Sequence, residues 1–209
     1  MKHAYAAIFR IAPVFTVTAI MAAPVFAQED EEALWELQEL RKEAKEVYTA
    51  EVEACIKKEL PEALELLAAV RKLAESRGAT FETQIMAAEL PIELAYACEE
   101  FRESKRYFPE ELPEIRKRHR LEVRSRMLAV RYRESGDDKE KRRYAAELQD
   151  TLEESFEMIQ EMIEWEAQEG GPDIEYIKRR AVDRKKYRSE IIERRKQELL
   201  DDYDPFDWW

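Results

Sequence analysis

A chain of 209 residues that holds only four glycines, 39% charged residues and a net charge of −12 excludes several classes of protein at once. So few glycines leave no glycine-rich phosphate loop, 45% hydrophobic residues are too many for a disordered chain, and the acidic balance argues against nucleic acid as a partner. The class that fits is all-α, with apolar stripes along charged helices, read as an elongated helical bundle or coiled-coil-like helical hairpins of five to six helices.

The N-terminal segment 1–27 reads as an export signal. Lys2 and Arg10 precede the apolar run 11–27, which ends in Val25-Phe26-Ala27 directly before the acidic Gln28-Glu29-Asp30. Small residues at those last positions predict signal-peptidase cleavage after Ala27. The run is shorter than the roughly 20 residues a spanning helix needs, and Pro13 and Pro24 interrupt it. A periplasmic or secreted protein is therefore expected, not an integral membrane protein after cleavage. Removing Lys2 and Arg10 with no acid moves the net charge from −12 to about −14.

The mature chain divides into a helical domain, 28–200, and a tail, 201–209. The first predicted helix, 30–60, carries Leu34, Leu37, Ala44, Tyr48 and Cys55 near heptad spacing. Pro61 either kinks this helix or begins the next, whose stripe includes Ala63, Leu66, Leu67 and Val70. A third helix over 80–107 keeps its spacing across Leu90-Pro91, where a kink is expected. Pro109 and Pro113 introduce a fourth, running to Ser135 and closed by Gly136. The fifth, 138–168, has the cleanest stripe: Ala145, Leu148, Leu152, Phe156, Ile159, Met162 and Ile163. After Gly170-Gly171-Pro172, a sixth helix to about Leu200 carries the thinner stripe Ile174, Ile177, Ala181, Ile191 and Leu199.

Cys55 and Cys98 form an even pair on two predicted helices, which in an oxidising compartment reads as a disulfide; the alternative is two separate buried thiols. Charge is segregated by helix. Arg116, Lys117, Arg118, Arg120, Arg124 and Arg126 make the fourth helix basic, and Lys178, Arg179, Arg180, Arg184, Lys185, Lys186 and Arg188 do the same for the sixth. Such runs either lace basic helices to acidic neighbours or present a basic surface to an anionic partner, such as an acidic protein or an anionic envelope component. The acidic tail carries Tyr203, Phe206, Trp208 and Trp209, which either fold back onto the bundle or serve as a recognition peptide.

No constellation for chemistry emerges. After cleavage His119 is the sole histidine, set among Arg116, Lys117, Arg118 and Arg120, whose charges repel a cation. No paired nucleophile and base, Rossmann fingerprint or Cys-x-x-Cys motif is present, and acidic pairs such as Glu99-Glu100 read as solvated faces. The sequence thus predicts a non-enzyme with no catalytic residue, metal or cofactor.

The stripe Leu148-x3-Leu152-x3-Phe156, together with Glu190-Ile191-Ile192-Glu193-Arg194-Arg195, Glu198-Leu199-Leu200 and Asp207-Trp208, resembles a group of uncharacterised exported all-helical bacterial proteins. The likeness covers the C-terminal third and implies no activity. In that group the region is one long charged helix, which Gly170-Gly171-Pro172 interrupts here. In architecture alone the chain is similar to periplasmic helical proteins of the Spy and CpxP type, without their Leu-Thr-x-x-Gln motif. Two functions follow as expectations: a structural or adaptor protein of the cell envelope that binds another protein or itself, or a chaperone-like or stress-sensing protein that binds exported clients on a kinked helical surface.

Overall fold

The computed structural model describes residues 26–76, 79–169 and 173–200. The export segment but for its last two residues, the Gly170-Gly171-Pro172 break and the tail with Tyr203, Phe206, Trp208 and Trp209 lie outside the described residues. Those described form an all-α chain of eight helices: α1 (Phe26–Val47), α2 (Ala50–Glu59), α3 (Glu62–Ala74), α4 (Phe81–Tyr107), α5 (Leu112–Glu134), α6 (Asp138–Glu169), α7 (Ile174–Lys186) and α8 (Arg188–Leu200).

The expected count of five to six is corrected by two breaks that carry no proline or glycine. The first divides 30–60 at Thr49, whose hydroxyl accepts from the Val52 backbone N–H at 3.4 Å and caps α2. The second divides the last helix at Tyr187. Pro61 sits at the cap before Glu62, so it begins α3, where its fixed φ suits a first turn. By contrast α4 is continuous through a buried Pro91.

Helix ends follow the macrodipole. Glu51 and Glu53 occupy the first turn of α2 and Lys57 and Lys58 its last; Glu62 and Glu65 open α3 and Arg71 and Lys72 close it. Thr80 caps α4 by accepting from the Thr83 N–H at 3.3 Å. Thr80→Ala is expected to cost about 1 kcal/mol in urea unfolding, the usual value of such a cap.

Two apolar clusters share α5. One joins α2, α3, α4 and α5 through Ile56, Leu60, Leu66, Val70, Phe101 and Val130. The other joins α5, α6 and α8 through Leu128, Leu148, Leu152, Phe156, Ile192 and Leu199. Within the first, Cys55 on α2 and Cys98 on α4 are joined in a disulfide, their Cα atoms 6.1 Å apart. The second positions the site. Burial of Ile192 and Leu199 seats α8, and Arg133 of α5 donates to the Leu199 carbonyl at 3.2 Å. On α7 Ala181 is the buried residue, and Gln160 of α6 donates to its carbonyl at 3.1 Å.

Candidate anion-binding groove

The basic residues of α5 and of α7–α8 meet different fates. On α5, Arg116 pairs with Glu59, Lys117 with Glu154 at 3.0 Å, Arg118 with Glu100, and Arg120 with Glu62 at 3.8 Å. Arg126 is buried against Glu93 and Glu122, and Glu122 also accepts from Arg195 of α8 at 3.4 Å. Of the six basic positions singled out on this helix, Arg124 is exposed and makes no ion pair among the described residues. Charge on α5 is therefore spent tying α2, α3, α4, α6 and α8 together.

The pKa shifts record that use. Burial pushes the Glu122 carboxyl up, but Arg126 and Arg195 outweigh it and hold the group below the ordinary carboxylate value. Burial likewise raises Glu100, which its hydrogen bond from His119 and the Arg118 guanidinium bring below normal. Both groups are depressed in the folded state, so the stability they contribute is present above the unfolded carboxylate value and lost as pH falls through the folded one. The urea midpoint should accordingly hold steady at neutral pH and fall once the pH drops below about 4.3. Replacing Glu100 and Glu122 with glutamine should flatten that acid limb. His119 lies 2.8 Å from Glu100 with its ring edge-on to Phe101, and no group of three or more metal-binding side chains occurs among the described residues.

The α7–α8 region is built differently. Along α7 the spacing Tyr176, Arg179, Arg180, Arg184, Tyr187 places five side chains on one face, and α8 continues it with Arg194. Their opposite face is tied to α6, where Lys185 meets Glu164 at 2.7 Å and Arg188 meets Glu157 at 2.8 Å and Glu153 at 3.4 Å. Because the helix breaks at Tyr187, the outer face folds into an open concavity of about 650 Å³ with Ile191 in its lining. Four guanidinium groups face two carboxylates there, Asp183 and Glu190.

Arg179, Arg180, Arg184 and Arg194 make no ion pair among the described residues. Arg184 is the sharpest case. Its guanidinium lies 4.8 Å over the Phe156 ring, and its Nε is buried with no hydrogen-bond partner among the described residues. Burial and then the adjacent Arg180 hold its pKa below the ordinary arginine value. Its stack on Phe156 offsets part of the cost of half-burying a cation beside another cation, but leaves its Nε without a hydrogen bond among the described residues. Tyr176 and Tyr187 flank the groove at 63% and 41% exposure, amphipathic rings at the edge of a cationic surface.

No protein-family model, no curated protein and no solved structure matches this chain. The groove's own chemistry is thus what speaks to function. It sets the guanidinium donors of Arg179, Arg180, Arg184 and Arg194 beside Asp183 and Glu190, donors of the kind that hold a carboxylate or phosphate. Of its arginines, Arg179, Arg180 and Arg184 belong to the basic run evident in the sequence. Tyr176, Tyr187 and Arg194 do not, although the i, i+3, i+4 spacing of Tyr176 with Arg179 and Arg180 was an available signal. Cys55 and Cys98 lie in the other apolar cluster and serve its packing.

Proposed function

We propose that this chain is an exported, non-enzymatic helical adaptor of the cell envelope, an elongated bundle that holds an acidic protein segment in the α7–α8 groove. The carrying observation is the contrast between the two basic regions: on α5, Arg116, Arg118, Arg120 and Arg126 pair with carboxylates, whereas around one concavity Arg179, Arg180, Arg184 and Arg194 make no ion pair among the described residues. Arginine suits the task because its planar fork binds a carboxylate through two parallel hydrogen bonds. Flanking tyrosines add contact area for aromatic or apolar residues beside the acid. The disulfide fits an oxidising compartment, and among the described residues no helix is long and apolar enough to cross a membrane.

The test is photocrosslinking in intact cells from a photoreactive residue at Tyr187, alone and with Arg180→Glu and Arg184→Glu. One dominant captured protein, joined through an acidic segment and lost on charge reversal, supports the adaptor. A broad population of exported proteins that survives charge reversal contradicts it and makes the chain chaperone-like.

A further inference from the structure

The groove raises the question of what occupies it when no partner is present, and the chain supplies a candidate beyond Leu200. Residues 201–209 read Asp-Asp-Tyr-Asp-Pro-Phe-Asp-Trp-Trp, four carboxylates interleaved with four aromatic side chains. This complements a lining in which four arginines outnumber the carboxylates of Asp183 and Glu190, beside two tyrosines and Ile191. Guanidinium groups pair with the aspartates, and their faces stack on indole and phenyl rings.

Geometry favours the same chain over a second copy. From Leu200 back to Tyr187 is thirteen helical residues, roughly 20 Å at 1.5 Å each. Nine residues in extended form span roughly 30 Å, enough to return alongside α8 and reach the arginines of α7. A tether this short presents the tail at an effective concentration on the order of millimolar, well above that of any second copy at micromolar protein.

We infer that the acidic aromatic tail, 201–209, is the resting occupant of the α7–α8 groove in cis, a built-in competitor that a partner's acidic segment must displace. This rests on the reading that the groove binds acidic segments. Adaptor binding is then gated: a partner gains access only when it outcompetes the tail or draws it away.

The experiment titrates a fluorescent synthetic peptide of sequence 201–209 into two forms of the full mature chain, one native and one with Asp201, Asp202, Asp204 and Asp207 replaced by asparagine. Circular dichroism confirms equal helicity. The expected result is at least tenfold tighter peptide binding to the neutralised chain, with the gain removed by Arg180→Glu and Arg184→Glu. Equal binding to both forms leaves the groove as a binding site and overturns the tail as its occupant. Binding to neither form overturns the groove as well. A native-to-neutralised difference that grows with protein concentration places the tail in the groove of another copy and overturns the cis assignment.

Discussion

Replacing Cys55 and Cys98 together with alanine should lower the unfolding free energy by about 4 kcal/mol, the largest single effect expected in this protein. The disulfide closes a sequence separation of 43 residues between α2 and α4, and releasing it restores that loop's freedom to the unfolded chain. Cys98 is fully buried and Cys55 packs at the edge of the same cluster, so alanine also removes two sulfurs from a close-packed site. For a chain of this size the loss corresponds to a melting temperature lower by roughly 8–16 °C. Calorimetry on oxidised, reduced and double-alanine protein checks it. Reduction should reproduce most of the loss, and a change under about 1 kcal/mol would show that the bond contributes little to the fold.

Arg126→Met is expected to cost about 3 kcal/mol, because it removes one member of a buried ionic group and strands the others. Arg126 is 6% exposed and bonds Glu93 and, at 2.7 Å, Glu122. Burial lowers its pKa, but Glu122 and Glu93 more than reverse that and hold it above the ordinary arginine value. Methionine keeps much of the stem's volume, so the measured loss reports the stranded carboxylates rather than a cavity. Glu122 would keep its 3.4 Å contact with Arg195, which is why the loss stays near the lower end for broken buried pairs. Urea unfolding of Arg126→Met, Glu122→Gln and the double variant should return a coupling energy well above the few tenths seen for independent sites.

Periodicity in the sequence was enough for the long helices, because burying an apolar stripe decides both their existence and their inward face. Leu148, Leu152 and Phe156 are buried on α6 at the spacing that predicted them. The third helix was expected to begin at Thr80, whose hydroxyl instead caps α4 from just outside it. What escaped was the pair of breaks at Thr49 and Tyr187. Neither has a breaker residue, and at Tyr187 the new direction is held by contacts distant in sequence, Arg188 with Glu153 and Glu157 and the burial of Ile192. The sixth predicted stripe accordingly included Ile191, which lines the groove, and omitted Ile192 and Arg195, which are buried.

The candidate site was legible as charge and not as shape. Two basic runs look alike in the sequence, and nothing in their composition separates a helix surrounded by acidic neighbours from one whose outer face stays open. Glu59, Glu93, Glu100 and Glu154, which pair with the arginines and lysine of α5, come from three other helices. Only the packing distinguishes the two roles. It spends most of the charge of α5, and that of Lys185, Arg188 and Arg195, on ties between helices, and leaves the groove arginines without an ion pair among the described residues.

Arg184 offers the most direct measurement of that division. The urea midpoint of Arg184→Met should be compared with its parent in a chain whose tail aspartates are asparagine, so that no tail carboxylate contributes. Removing a half-buried cation that lacks a hydrogen-bond partner at Nε and is repelled by Arg180 should leave the midpoint unchanged or raise it, while peptide binding falls at least tenfold. A drop comparable to that of Arg126→Met would make Arg184 a structural residue and would contradict the assignment of the α7–α8 groove as a binding surface.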